Sequence, residues 1–171
     1  MIQFCIEFTF KSLPIMFSNM TPVAASKLLP KLNFPIDFGI KLKDNERLFG
    51  KNKTYRGIIS ALMVGSFLGI ISPYITVVQA FLLSAGTMIG DLITSFIKRR
   101  IKLKPGEDFE PWESIIFIPT ALMMVPGLFS LKEAVLLIFV SLFLYPFVNW
   151  ITYKLKIKKE YRKRKFYFGR N

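Results

Sequence analysis

With no histidine and a single cysteine, Cys5, among 171 residues, any chemistry here rests on carboxylates, cations and hydroxyls. That excludes disulfides, zinc clusters and histidine acid–base catalysis, and leaves charge-based chemistry on anionic groups. One stretch concentrates the necessary side chains. Ser84 to Arg100, SAGTMIGDLITSFIKRR, places an aspartate inside an apolar run that closes on Lys98, Arg99 and Arg100. On a helix turning roughly 100° per residue, Ser84, Thr87, Asp91, Thr94, Ser95 and Lys98 share about 100° of arc, one polar stripe flanked by Gly86 and Gly90. A carboxylate in a membrane segment costs at least about 3 kcal/mol on insertion scales, so Asp91 must face protein, water or a metal. A packing partner for some lysine is one reading. A stripe leading straight into three cations favours another, a site for an anion at the membrane surface.

Two further groups of residues stand where they can serve that site. Lys53, Thr54 and Arg56, with the backbone of Gly57, open an apolar run, and the amides and dipole of a helix N-terminus favour phosphate. The neighbouring Gly50-Lys51-Asn52-Lys53-Thr54 lacks the first glycine of a phosphate-binding loop and its preceding strand, so that motif is rejected. Glu113 sits at the edge of the apolar run Ile115 to Leu128, at a depth where it can meet Asp91 or the cations after it. Two hard carboxylates near a triphosphate describe a Mg²⁺ site, because Mg²⁺ takes one or two carboxylates plus phosphate oxygens.

The elements that must hold these residues are membrane spans. Hydrophobic residues make up 52% of the chain, and the runs Gly57–Ile71, Tyr74–Ile97, Ile115–Leu128 and Ala134–Tyr153 carry few charges. With a polar-interrupted first span, the reading is a single all-α domain, polytopic, with five transmembrane helices at about 2–29, 57–71, 74–98, 115–128 and 132–153. The first is expected to break near Pro14 or Pro22. Gly57, Gly65 and Gly69, at multiples of four, mark close helix packing.

The formal charge of +13 is not a nucleic-acid footprint, because of where it lies. Of 24 cations, 21 fall in Lys31–Arg56, Lys98–Lys104 and Lys154–Arg170, all on one side of a five-span arrangement. The positive-inside rule makes that side cytoplasmic, with the N-terminus outside and the catalytic loops and C-terminus inside. The tail 154–171 then suits anionic membrane lipids. The loop between the first two spans, punctuated at Pro35–Gly39 and Gly50, is expected to be folded.

Taken together, PIDFG, then GKNKTYRG opening a span, then GDLITSFIKRR closing the next, resemble the CDP-archaeol synthase family, distantly similar to CDP-diacylglycerol synthases. Asn19-Met20-Thr21-Pro22-Val23 resembles the end of the family's first helix, and the likeness runs from about Asn19 to Phe117. One departure is Glu113-Ser114, where the family usually carries an Asp-Gln pair. The resemblance implies cytidylyl transfer. The phosphate of an isoprenoid-ether lipid attacks the α-phosphorus of CTP and pyrophosphate leaves. It implies Mg²⁺ on Asp91 and Glu113, catalytic roles for Asp91, Lys98, Arg99 and Arg100, and phosphate contacts from Lys53, Arg56, Lys98, Arg99 and Arg100. Asp37, Thr54, Gly57, Gly90 and Ser95 complete the expected substrate contacts. Two competing readings are an ester-lipid CDP-diacylglycerol synthase and, in a different class, a small ion-coupled transporter with Asp91 as its ion site. The transporter predicts polar residues deep in several spans, whereas only the third carries a long stripe.

Overall fold

The computed structural model describes residues 1–103, 109 and 111–154. The described residues form helices and loops, with two isolated bridges and no strand. In chain order the helices are α1 (Ile2–Leu28), α2 (Tyr55–Ile71), α3 (Val77–Arg100), α4 (Trp112–Ile115), α5 (Phe117–Met123) and α6 (Leu131–Lys154). Helix α3 is long and apolar enough to cross a membrane, and α2 is apolar but shorter, at 17 residues.

Helix α3 is the axis of the bundle, packed on α1, α2 and α5. Glycines make this possible. A Cβ added at Gly65 would lie 1.7 Å from the Ser84 Oγ, and one at Gly69 would lie 2.6 Å from the Ala80 Cβ. On the far side of α3, a Cβ at Gly86 would lie 2.6 Å from the Ala121 Cα, and one at Gly90 would lie 2.5 Å from the Phe117 Cα. Ile15, Leu83, Phe117, Ile118, Ala121 and Leu137 fill the core around these crossings. Gly65→Ala is expected to force α2 and α3 apart and cost about 2 kcal/mol, the scale of overpacking. A thermal melt in detergent reads the shift, and an unchanged melting temperature would place the α2–α3 contact elsewhere.

Two boundaries differ from the sequence reading. Helix α1 runs through both Pro14 and Pro22 where a break is expected. Pro14 is fully buried, and packing against α2 and α3 carries the helix past the lost hydrogen bond. The fourth segment, expected as one run over 115–128, is split into α4 and α5 and stops at Met123. Pro119 explains the split, because it cannot donate to the carbonyl four residues back, that of Ile115, where α4 ends. The turn through Pro126 and Gly127, the latter at φ 82°, comes after the helix has closed. The α3 start carries a capping box, with Thr76 and Gln79 each satisfying the other's backbone amide.

Away from the basic loops, Lys11 on α1 reaches Glu133 on α6 at 3.3 Å and Glu7 at 2.6 Å. The Ser130 amide and hydroxyl both donate to the other oxygen of Glu133. The charges that interrupt the first span are thus paired inside the bundle.

Candidate active site

The polar stripe on α3 faces inward as expected: Ser84, Thr87, Thr94, Ser95 and Lys98 are buried. Three of its hydroxyls are satisfied locally. Ser84, Thr87 and Thr94 each donate to the carbonyl four residues back, at 2.8 Å. Asp91 has no such local solution and looks outward to the loop between α1 and α2. The Lys53 ammonium donates to both of its carboxylate oxygens at 2.6 Å, and each side chain keeps a fifth to a quarter of its surface exposed. This contact joins two of the three stretches in which the chemistry was expected.

The loop that delivers Lys53 is clasped by a second carboxylate. Asp37 is 1% exposed. It receives both arms of the Arg47 guanidinium and the amides of Gly39, Phe49 and Gly50, at 3.1, 3.3 and 3.0 Å for the amides. Burial pushes this carboxyl up, but Arg47 and the three amides pull harder, and its pKa falls to about 2. Gly50 takes φ 101°, which lets the chain turn back beside the Arg99 side chain, whose Cδ lies 3.6 Å from where its Cβ would be. Asp37 therefore holds the loop together from within, and its hydrogen-bonding capacity is used there.

Arg100 finishes the clasp from α3. It donates to the Asp44 carboxylate at 2.9 Å, and to the carbonyls of Glu46 and Arg47 at 3.3 and 2.8 Å. Its guanidinium fork, expected to meet phosphate, is engaged by the loop. The Lys98 ammonium donates to Glu113 at 3.0 Å, and the Phe109 amide donates to the same oxygen at 3.3 Å. Thr54 is the N-cap of α2, its hydroxyl accepting from the Gly57 amide at 3.3 Å, so that amide is already used. Arg56 donates to the Leu29 carbonyl at 2.5 Å, tying the end of α1 to the start of α2. Gly90 lies in the α3–α5 crossing.

The structure thus brings Lys53 to Asp91, and Lys98 to Glu113. Arg100 and Asp37 hold the loop, while Thr54, Gly57 and Arg56 shape the α2 start. For a metal the protein offers Asp91 and Glu113, each now neutralised by a lysine, and no group of three or more His, Cys, Asp or Glu gathers among the described residues. One or two carboxylates is the number Mg²⁺ uses when a triphosphate supplies the remaining oxygens, and each of these side chains has the hard oxygen chemistry that ion takes. Arg47 and Asp44 are the participants that sequence reasoning missed. Nothing in the spacing links residue 37 to 47 or 44 to 100 until the loop is folded.

The sequence profile of the CarS-like CDP-archaeol synthase family matches residues 5–161. This chain belongs to the CDP-archaeol synthase family. The CDP-archaeol synthase of Thermofilum pendens is 37% identical over 145 residues, covering 82% of this chain and 71% of that one. That of Pyrococcus furiosus is 35% identical over 157 residues, covering 85% and 91%. A solved structure, described as an intramembrane enzyme for archaeal membrane lipid biosynthesis, superposes with a TM-score of 0.73 at 28% identity. It covers 82% of this chain and 90% of its own.

Proposed function

We propose that this chain is a membrane-resident cytidylyltransferase that converts CTP and an unsaturated isoprenoid-ether glycerol phosphate into the CDP-activated lipid and pyrophosphate. The observation that carries the reading is the Lys53–Asp91 pair, mostly buried but open to solvent on one side, set at the seam between a clasped basic loop and the polar stripe of α3. The lipid phosphate oxygen forms a bond to the α-phosphorus of CTP as the bridge to the β-phosphate breaks. The nucleophile is already an anion, so no strong base is needed, which suits a chain without histidine. Catalysis of such a transfer is positioning and charge neutralisation.

The residues divide that work. Lys53 stands in for the ligand's cations at rest and moves from the Asp91 carboxylate to a phosphate when the nucleotide arrives. Lys98 does the same from Glu113, and the buried Arg99, beside Gly50, adds positive field where the loop meets α3. Asp91, with Glu113, would hold Mg²⁺, which supplies charge neutralisation on the departing pyrophosphate. In this reading the chain crosses five times, with α4, α5 and the turn after them together making the fourth, and these groups face the cytoplasm, as the placement of 21 of the 24 cations favours. The N-terminus is then outside and the C-terminus cytoplasmic.

The test is purified protein with radiolabelled CTP, Mg²⁺ and either the ether-lipid phosphate or an ester phosphatidic acid. Formation of labelled CDP-lipid with the ether substrate is expected. No product with either lipid would end the reading, and product with the ester alone would replace the substrate. In a Cys5→Ser background, a cysteine at Lys51 should be protected from an impermeant thiol reagent on intact cells while one at Ser130 is labelled. The reverse pattern would invert the topology and take the site away from cytoplasmic CTP.

A further inference from the structure

The loop that carries Lys53 has a second surface that the catalytic reading does not use. Its hairpin is set by the Lys41–Arg47 bridge, with Leu42 donating to Glu46 and Leu48 donating to Ile40, both at 3.0 Å, and Asn45 at φ 63° in the turn. Side chains alternate along such a pair, so Arg47 and Lys41 share one face while Ile40, Leu42 and Leu48 share the other. Arg47 is drawn in to Asp37, which turns the Ile40 face away from the clasp. Ile40 is 53% exposed. Just before it, Phe38 is 78% exposed and held at φ 46°, a conformation unusual for a bulky residue. Its ring tilts against Tyr55, the first residue of α2, at 5.9 Å between centroids. Phe34 and Leu32 are exposed as well, and lead back to Leu29 and Leu28 at the end of α1.

The geometry points to an interfacial wedge. Phe34, Phe38, Ile40 and Leu42 enter the headgroup layer of the protein's own membrane, where the exposed Lys31, Lys43 and Lys51 around them meet anionic lipid. Continuity with the ends of α1 and α2 puts the loop at bilayer-surface depth, and an apolar face with a basic fringe is the composition that binds there. The same lysines would repel one another if two copies met through this face, so charge selects lipid over self-association. The loop that presents Lys53 to Asp91 thus lies flat on the bilayer, and the site opens where a lipid phosphate already resides. The inference rests on the reading that α1 and α2 cross a membrane.

An environment-sensitive NBD label on a cysteine at 38, in a Cys5→Ser background, tests it in nanodiscs of phosphatidylcholine with or without phosphatidylglycerol. The same label at Met63, exposed at mid-α2, reports the membrane frame itself. At 38 the emission should shift to the blue and lose more intensity to a nitroxide near the headgroup than to one near the chain end. Phosphatidylglycerol should deepen that loss, and Lys31→Gln with Lys43→Gln should remove the increment. At Met63 the chain-end nitroxide should quench more. A water-like emission at 38 with Met63 quenched overturns the wedge alone. Water-like emission at both positions overturns the membrane frame and the wedge together. A blue shift at 38 that ignores nitroxide lipid and disappears on dilution into empty discs means that a second copy covers the face, and overturns the choice of lipid.

Discussion

Asp91→Asn is expected to lower CTP-dependent turnover by at least about two orders of magnitude, the scale on which one preorganised electrostatic group is felt. The substitution preserves volume and leaves an amide oxygen to accept from Lys53, so the loop can still close on α3. What disappears is the negative charge, and with it the metal ligand. The fold should persist, because the neighbouring hydroxyls of Ser84, Thr87 and Thr94 are satisfied on their own helix and none depends on Asp91. Product formation from labelled CTP, with size exclusion and circular dichroism as controls, separates the two effects. The exchanged pair Lys53→Asp with Asp91→Lys decides what the salt bridge is for. It restores an ion pair across the same gap but puts the carboxylate on the loop and the ammonium on the helix. Turnover should stay lost in the exchanged protein while its melting temperature returns towards wild type. Restored turnover would mean that the pair is a structural tie, and Asp91 would leave the site.

The sequence showed the inward face of α3 because one element carries the whole stripe, and helical spacing alone determines which side chains share a face. It showed that the loop before α2 is folded, since Pro35, Gly39 and Gly50 have local conformational requirements. Partners were hidden for the opposite reason. Lys53 and Asp91 are 38 residues apart, Arg100 and Asp44 56 apart, and no periodicity relates them. The assignment of Arg100 to phosphate followed from its charge, whereas its position at the last turn of α3 brings it under the hairpin, whose carbonyls take its donors. The same locality explains the fourth segment. Its apolar run reads as one span by composition, but Pro119 acts on the carbonyl of Ile115 and splits it regardless of hydropathy. Prolines 14 and 22 are the converse case, where tertiary packing overrides a local signal.

Asp37→Asn should open the loop, with a cost of about 2 kcal/mol, because it strips the partly exposed Arg47 guanidinium of its counter-charge and turns one acceptor oxygen of a buried side chain into a donor facing N–H groups. The loss is local. Residues 35–54 are held by this carboxylate and by Arg100, while α1, α2 and α3 pack without it. Trypsin at neutral pH should therefore cut the variant at Arg47, Lys51 or Lys53 many-fold faster than wild type, with the helical far-ultraviolet signal intact. Turnover should fall as well, since Lys53 would no longer be delivered to Asp91. Acid should do to the wild type what the substitution does at neutral pH. The Asp37 carboxyl is depressed in the folded protein from its ordinary 3.8 to about 2, so its contribution is complete above the ordinary value and drains away as pH falls through that interval. Pepsin cleavage beside Leu48 and Phe49 should accordingly rise in the wild type between about pH 4 and pH 2, relative to an Asp37→Asn control that is open throughout. Equal cleavage of the two proteins at pH 4, or loop protection in the variant at neutral pH, would show that the loop is held by something other than the Asp37–Arg47 clasp.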